Sequence, residues 1–143
     1  MEINIFSGQP GLGGALTNPT ELARRKGTII KGYPVVVAGT RYPDAEAAYQ
    51  ALKCGDAPAD DRMMADIICL KFLQNPDLMN MVREMGGAGW LQQCSHFTGA
   101  KTPSAQAWEG AGMHSRFIRN LVAGYTLALE GRVTEPDGQQ CLF

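Results

Sequence analysis

Apolar and polar residues change rhythm several times along the chain, and each change predicts an element. "EINIFS" (2–7) alternates polar and apolar positions, the period of an edge strand. In "GQPGLGGALTNPTE" the glycines and prolines predict a loop. Val35 to Ala38 offers a second strand, broken by Gly39. The pattern then turns helical in "YPDAEAAYQALKC" (42–54), where Asp44 can cap the opening turn with its carboxylate at the positive helix end. "DDRMMADIICLKFLQ" (60–74) sets Met64, Ile67, Ile68 and Phe72 on one side of an amphipathic helix. Asn75 and Pro76 predict a stop and restart, an Asn cap with proline at the first helical position. "PDLMNMVREM" is the next helix, ended by Gly86 and Gly87.

Residues 88–112 are irregular, apart from a strand expected around "WLQQCSHF". "HSRFIRNLVAGYTLALEG" spaces Phe117, Leu121, Val122, Tyr125 and Leu129 as a helical stripe, with Gly131 as its stop. The last twelve residues, 132–143, are polar apart from "CLF" and read as a loose tail. The expected fold class is α+β: one mostly α-helical domain over 1–131 with a small β-sheet.

Composition narrows the function classes. The 143 residues are 45% hydrophobic and 19% charged, enough for one buried core without staples. A net charge of −1 argues against bulk nucleic-acid binding, and Arg24, Arg25 and Lys26 suit a solvated helix end. Cys54, Cys69, Cys94 and Cys141 form no CxxC pair and have no histidine at finger spacing, so neither a metal nor a disulfide framework is expected. No leader pattern opens the chain, no apolar run approaches the roughly 20 residues that span a bilayer, and a reduced, cytoplasmic protein is expected.

Candidate chemistry sits in the alanine-rich helix. Glu46, Gln50 and Lys53 stand at i, i+4 and i+7, so an acid, an amide and an amine share one face. A solvated face would explain that stripe. Ala45, Ala47, Ala48 and Ala51 leave little bulk around it, however, and allow another element to approach and bury it partly. Burial raises a carboxylate's pKa and a nearby ammonium lowers it; the sequence does not decide between them. Either way, a carboxylate and an amine in a cleft suit acid–base or covalent chemistry. The loop Gly8–Gly14 is neither a dinucleotide fingerprint nor a P-loop, and a plain connector is favoured on pattern. His96 and His114 stand alone and take no catalytic part in this scheme. Trp90 and Trp108 lie in glycine-flanked stretches, where an aromatic either stacks on a ligand or plugs a core edge.

Four stretches together resemble the NADAR superfamily, the N-glycosidases with a YbiA-like fold. "YPDAEAAYQALK" resembles the family signature, "LTNP" (16–19) its Leu/Phe-Ser-Asn-aromatic element, and "RMMADIICLKFLQNPDL" (62–78) its Met-rich helix. "AWEGAGMHSRFIRNLVAGYTLAL" (107–129) is similar to its Trp-Gly loop and Asn-bearing terminal helix. Order and approximate spacing agree across residues 3–130. The resemblance implies cleavage of an N-glycosidic bond in an ADP-ribosylated or ribosyl-nucleotide substrate, without a cofactor. Glu46 would be the catalytic carboxylate, stabilising an oxocarbenium-like centre or activating water, with Lys53 as amine nucleophile or phosphate anchor. Thr17, Asn18, Tyr49, Gln50, Trp108 and Asn120 would complete the substrate site: Thr17 and Asn18 on ribose or phosphate, Trp108 stacked on a ring, Asn120 supporting its loop. The partner would be a small nucleotide-type molecule, with neither a membrane nor bulk nucleic acid and with the oligomeric state open. Two departures stand out. Ala47 follows Glu46 where the family often has histidine, and Ser104 and Gln106 precede Trp108 where it commonly carries an acid, Glu109 falling just after. They leave room for altered catalysis, or for a protein that only sequesters an NAD- or ADP-ribose-derived nucleotide.

Overall fold

The computed structural model describes residues 2–136; most of the expected tail therefore lies outside the described residues. In chain order it contains α1 (Leu12–Leu16), α2 (Thr20–Lys26), β1 (Val35–Val37), β2 (Thr40–Tyr42), α3 (Ala45–Leu52), α4 (Ala57–Gln74), α5 (Pro76–Met85), α6 (Ala88–Leu91), β3 (Ser95–His96), α7 (Pro103–Gln106), β4 (Gly110–Ala111), a 3-10 turn (Gly112–His114) and α8 (Arg116–Glu130). The chain is α+β and mostly helical. Its strands form two short antiparallel pairs, β1–β2 and β3–β4, rather than one sheet.

The centre is α4 packed along α8, with α3, α5 and β1 also against α4. The one-sided pattern expected for residues 60–74 is not what forms: Met63, Met64, Ile67, Ile68, Leu70 and Phe72 are all buried, and so are Asp60 and Lys71. A helix surrounded on several sides is buried nearly all round, and its polar members must then find partners. Gly124 on α8 permits the close approach of the two helices. A Cβ there would stand 2.6 Å from Ile68 Cγ2 and 2.8 Å from the Ala65 carbonyl oxygen. Phe117, Leu121, Val122 and Tyr125 point inward as the stripe requires, whereas Leu129, in the last turn, is exposed.

Local chemistry sets the other boundaries. Asp44 caps α3, accepting from the Ala47 N–H at 2.9 Å, and Ser115 caps α8, accepting from the Ile118 N–H at 3.1 Å. Ala38 (φ 48°) and Gly39 (φ 82°) make the two-residue turn from β1 to β2, the left-handed pair that such hairpins need. The Gln74 amide covers the free edge of β1, accepting from Val36 N–H at 2.9 Å and donating to its carbonyl at 2.8 Å.

Four expectations change. Residues 2–7 do not form a strand; Asn4 makes one isolated parallel bridge to Ser95, because its partner strand is only two residues long. The glycine-rich loop folds at its second half into α1, whose end is held by Lys71: Nζ donates to the carbonyls of Ala15 (2.6 Å) and Thr17 (2.8 Å). Asn75 does not cap α5 with its side chain, which donates instead to the Lys71 carbonyl at 2.8 Å. Cys69 and Cys94 are buried free thiols, but Cys54 is disulfide-bonded, unlike the reduced set expected. Among the described residues no helix is long and apolar enough to cross a membrane.

Candidate functional site

A cavity of about 830 Å³ opens where α2, α3, β3, α7 and the first turns of α4 and α8 meet, a volume that fits a nucleotide-sized molecule. Seven of the eight residues expected at a site border it: Glu46, Lys53, Thr17, Asn18, Tyr49, Gln50 and Trp108. The eighth, Asn120, does not.

The backbone around Asn18 is held from three sides. Asp44 spans two helix starts, since its second oxygen accepts from the Glu21 N–H of α2 at 3.0 Å while its first caps α3. The Glu46 N–H donates to the Asn18 carbonyl at 3.2 Å, so the candidate carboxylate and the Thr17–Asn18 segment are tied directly together. Lys71 grips the same segment from α4. Burial pushes the Lys71 ammonium down to about 7, against the pull of Asp44. A neutral amine still has the two N–H groups these carbonyls require. Thr17 and Asn18 are 1% and 4% exposed, and among the described residues Asn18 Oδ1 has no hydrogen-bond partner. An unpaired buried acceptor of this kind costs about 1–3 kcal/mol, so the segment is not built for stability alone.

On α3, Glu46 is half-buried and its Oε2 accepts from Gln50 Nε2 at 2.6 Å, the expected i, i+4 pair. Lys53 departs from the expected stripe. The helix ends at Leu52, and Lys53 is an extended C-terminal cap (φ −65°, ψ 153°) rather than part of a helical face. It still borders the cavity, with Nζ 5.7 Å from the Tyr49 ring centroid. The reason for the stop lies in the next helix. Both oxygens of buried Asp60 are taken by the N–H groups of Cys54 and Gly55, each at 2.9 Å, which turns the chain away from helical geometry. Burial, and then Asp60, push the Tyr49 phenol up, so that group stays neutral.

Trp108 is fixed by its neighbours. The Arg116 guanidinium lies 3.8 Å from its ring centroid, and Tyr49 meets it edge-on at 5.8 Å and 82°. Arg116 Nε donates to Asp61 Oδ1 at 2.7 Å, and Asn120 Nδ2 donates to the same oxygen at 3.0 Å. Asn120 is therefore a support behind the wall, acting through Asp61 and Arg116 on Trp108. Trp90, in contrast, is buried in the core.

The chain matches no protein-family model, no curated protein and no solved structure. What the cavity does must therefore be argued from its residues.

Three groups were not singled out from sequence: Asp60 and Arg116, which border the cavity, and Lys71, which holds the Thr17 carbonyl beside it. Lys71 left a signal, a lone lysine inside the apolar run "IICLKFL". Asp60 and Arg116 left none, because helix-start acids and surface arginines are common. His96 was set aside as solitary, yet it borders the cavity. Glu109, the acid nearest Trp108, is used elsewhere: it accepts from the Thr98 hydroxyl at 2.6 Å and from the Thr98 N–H, which hold its carboxyl below the usual range. Among the described residues no cluster of three or more His, Cys, Asp or Glu side chains suits a metal ion.

Proposed function

We propose that this chain has the YbiA-like fold and is an N-glycosidase acting on an ADP-ribosylated or ribosyl-nucleotide substrate. The observation that carries the proposal is the convergence of Glu46, Gln50, Lys53, Asn18 and Trp108 on one nucleotide-sized cavity. In this scheme the glycosidic C1–N bond breaks with its electron pair passing to the departing nitrogen, which takes a proton. Water adds to C1 and loses one. Glu46 lies against the charge developing on the sugar, where a fixed carboxylate is most effective in a partly dry site. Gln50 holds one Glu46 oxygen and leaves the other for the substrate. Lys53 anchors phosphate or attacks the opened sugar as an amine. Trp108, already backed by Arg116, offers its ring to a base.

A second reading has an observation of its own. Glycoside hydrolysis commonly uses two carboxyl groups. Among the described residues the carboxylates that border the cavity are Glu46 and Asp60, and both Asp60 oxygens are occupied by backbone N–H groups. A protein with one available carboxylate could bind and sequester a nucleotide without cleaving it. Incubation with ADP-ribosylated and ribosyl-nucleotide candidates, followed by chromatography for free ADP-ribose or ribose phosphate, separates the two. The expected outcome is release that falls about 10²-fold or more in Glu46→Gln at unchanged thermal stability. Full turnover in the mutant would remove Glu46 from the mechanism; tight binding of an intact ligand would leave only the sequestering role.

A further inference from the structure

We propose that His96 is the proton acceptor of this cavity, its Nε2 receiving a hydrogen bond from the attacking water or from a sugar hydroxyl. The inference rests on the glycosidase reading and adds to it the group that takes the proton. Three observations fix the ring. Its Nδ1 lies 2.6 Å from the Ile5 carbonyl oxygen, which can only accept, so Nδ1 carries the hydrogen and Nε2 is bare. Phe117 packs against the ring at 4.6 Å between centroids, and β3 pairs His96 with Gly110. No hydrogen bond within the described residues occupies Nε2, and His96 is among the residues that border the cavity.

Charge supports the same tautomer. Burial lowers the imidazole's pKa; the Ile5 carbonyl, Glu109 and Glu46 pull it back only in part. The charged groups that act on the ring are Glu109 ahead of β4 and Glu46 on α3; the other charged residues that border the cavity, among the described residues, are Lys26, Lys53, Asp60 and Arg116. A neutral base beside a carboxylate divides the work. Glu46 opposes the charge on the sugar, while Nε2 takes the proton that water loses on bonding to C1. The imidazolium then gives that proton, through solvent, to the nitrogen leaving with the C1–N electron pair. Atoms and electrons balance without a further reactant.

The test is imidazole ¹⁵N NMR on the whole protein, free and with ADP-ribose added, alongside turnover of two variants. The free protein is expected to show Nδ1 protonated and Nε2 bare, and saturation with ADP-ribose is expected to move the Nε2 resonance. His96→Asn can still donate to Ile5 but lacks Nε2, and His96→Gln puts an amide near the Nε2 position that cannot take a proton. Both are expected to lose about 10²-fold or more in turnover while retaining thermal stability, and the acid side of the wild-type pH profile to vanish in both. A protonated Nε2 in the free protein overturns the proposal. So does ADP-ribose saturating the protein without moving Nε2, or His96→Asn turning over at the wild-type rate; either leaves the glycosidase reading standing. Failure of ADP-ribose to bind at all overturns this proposal together with the ADP-ribosylated form of the glycosidase reading.

Discussion

Gly124→Ala is a one-carbon perturbation whose consequences reach from the core to the cavity. In an isolated helix the change is favourable by up to about 1 kcal/mol, since alanine is the better helix former. In this chain the new methyl would stand 2.6 Å and 2.7 Å from two Ile68 carbons and 2.8 Å from the Ala65 carbonyl oxygen. The isoleucine can rotate, but the carbonyl belongs to the backbone of α4 and cannot give way without moving the helix. Overpacking of this kind costs about 1–3 kcal/mol. With a backbone carbonyl in the way the cost falls in the upper part of that range, about 2–3 kcal/mol, so clash outweighs propensity, for a net loss of about 1–2 kcal/mol and a fall in Tm of about 3–8 °C for a chain of this size. The effect continues into the site, because α4 carries Asp61 and α8 carries Arg116, whose 2.7 Å bond would be stretched as the helices part. Scanning calorimetry of both proteins measures the first effect; loss of Trp108 fluorescence anisotropy, read in a Trp90→Phe background at a matched temperature below both transitions, measures the second. Gly89→Ala in α6, where a Cβ meets nothing within 4 Å, is the control and should be neutral or slightly stabilising. An unchanged or raised Tm for Gly124→Ala would show that α4 and α8 are not in the close contact described.

Other consequences can be checked separately. Asp60→Ala leaves the Cys54 and Gly55 N–H groups without their acceptor; hydrogen exchange at these two amides should accelerate and stability should fall by about 1–2 kcal/mol, whereas unchanged protection would dissociate Asp60 from the end of α3. Lys71 has a folded pKa of about 7 against an ordinary 10.5. Between those values the unfolded chain keeps a proton that the folded chain has released, so this group's contribution to stability rises with pH from about 7 to 10.5, by at most about 1.4 kcal/mol per pH unit. Denaturant titrations at several pH values should therefore show a steeper rise for the wild type than for Lys71→Met, and identical slopes would refute the assignment.

Much of the secondary structure was legible because it is written in short-range chemistry. Asp44 caps a helix, Gly86, Gly87 and Gly131 end helices, Pro76 restarts one, and Gly39 ends a strand; each acts within about four residues. The Glu46–Gln50 pair was likewise fixed by helical spacing. What the sequence could not state was which faces meet. Residues 60–74 looked one-sided, but α4 is enclosed by α8, α3, α5 and β1, and that enclosure is a property of the assembled core. The same holds for the cavity. His96 gained its fixed tautomer from Ile5, 91 positions away, Arg116 its anchor from Asp61, 55 away, and Lys71 its carbonyls from α1. Spacing along a chain orders neighbours within a turn or two; a buried charge or a bare imidazole nitrogen acquires its chemistry only when distant segments exclude water from around it.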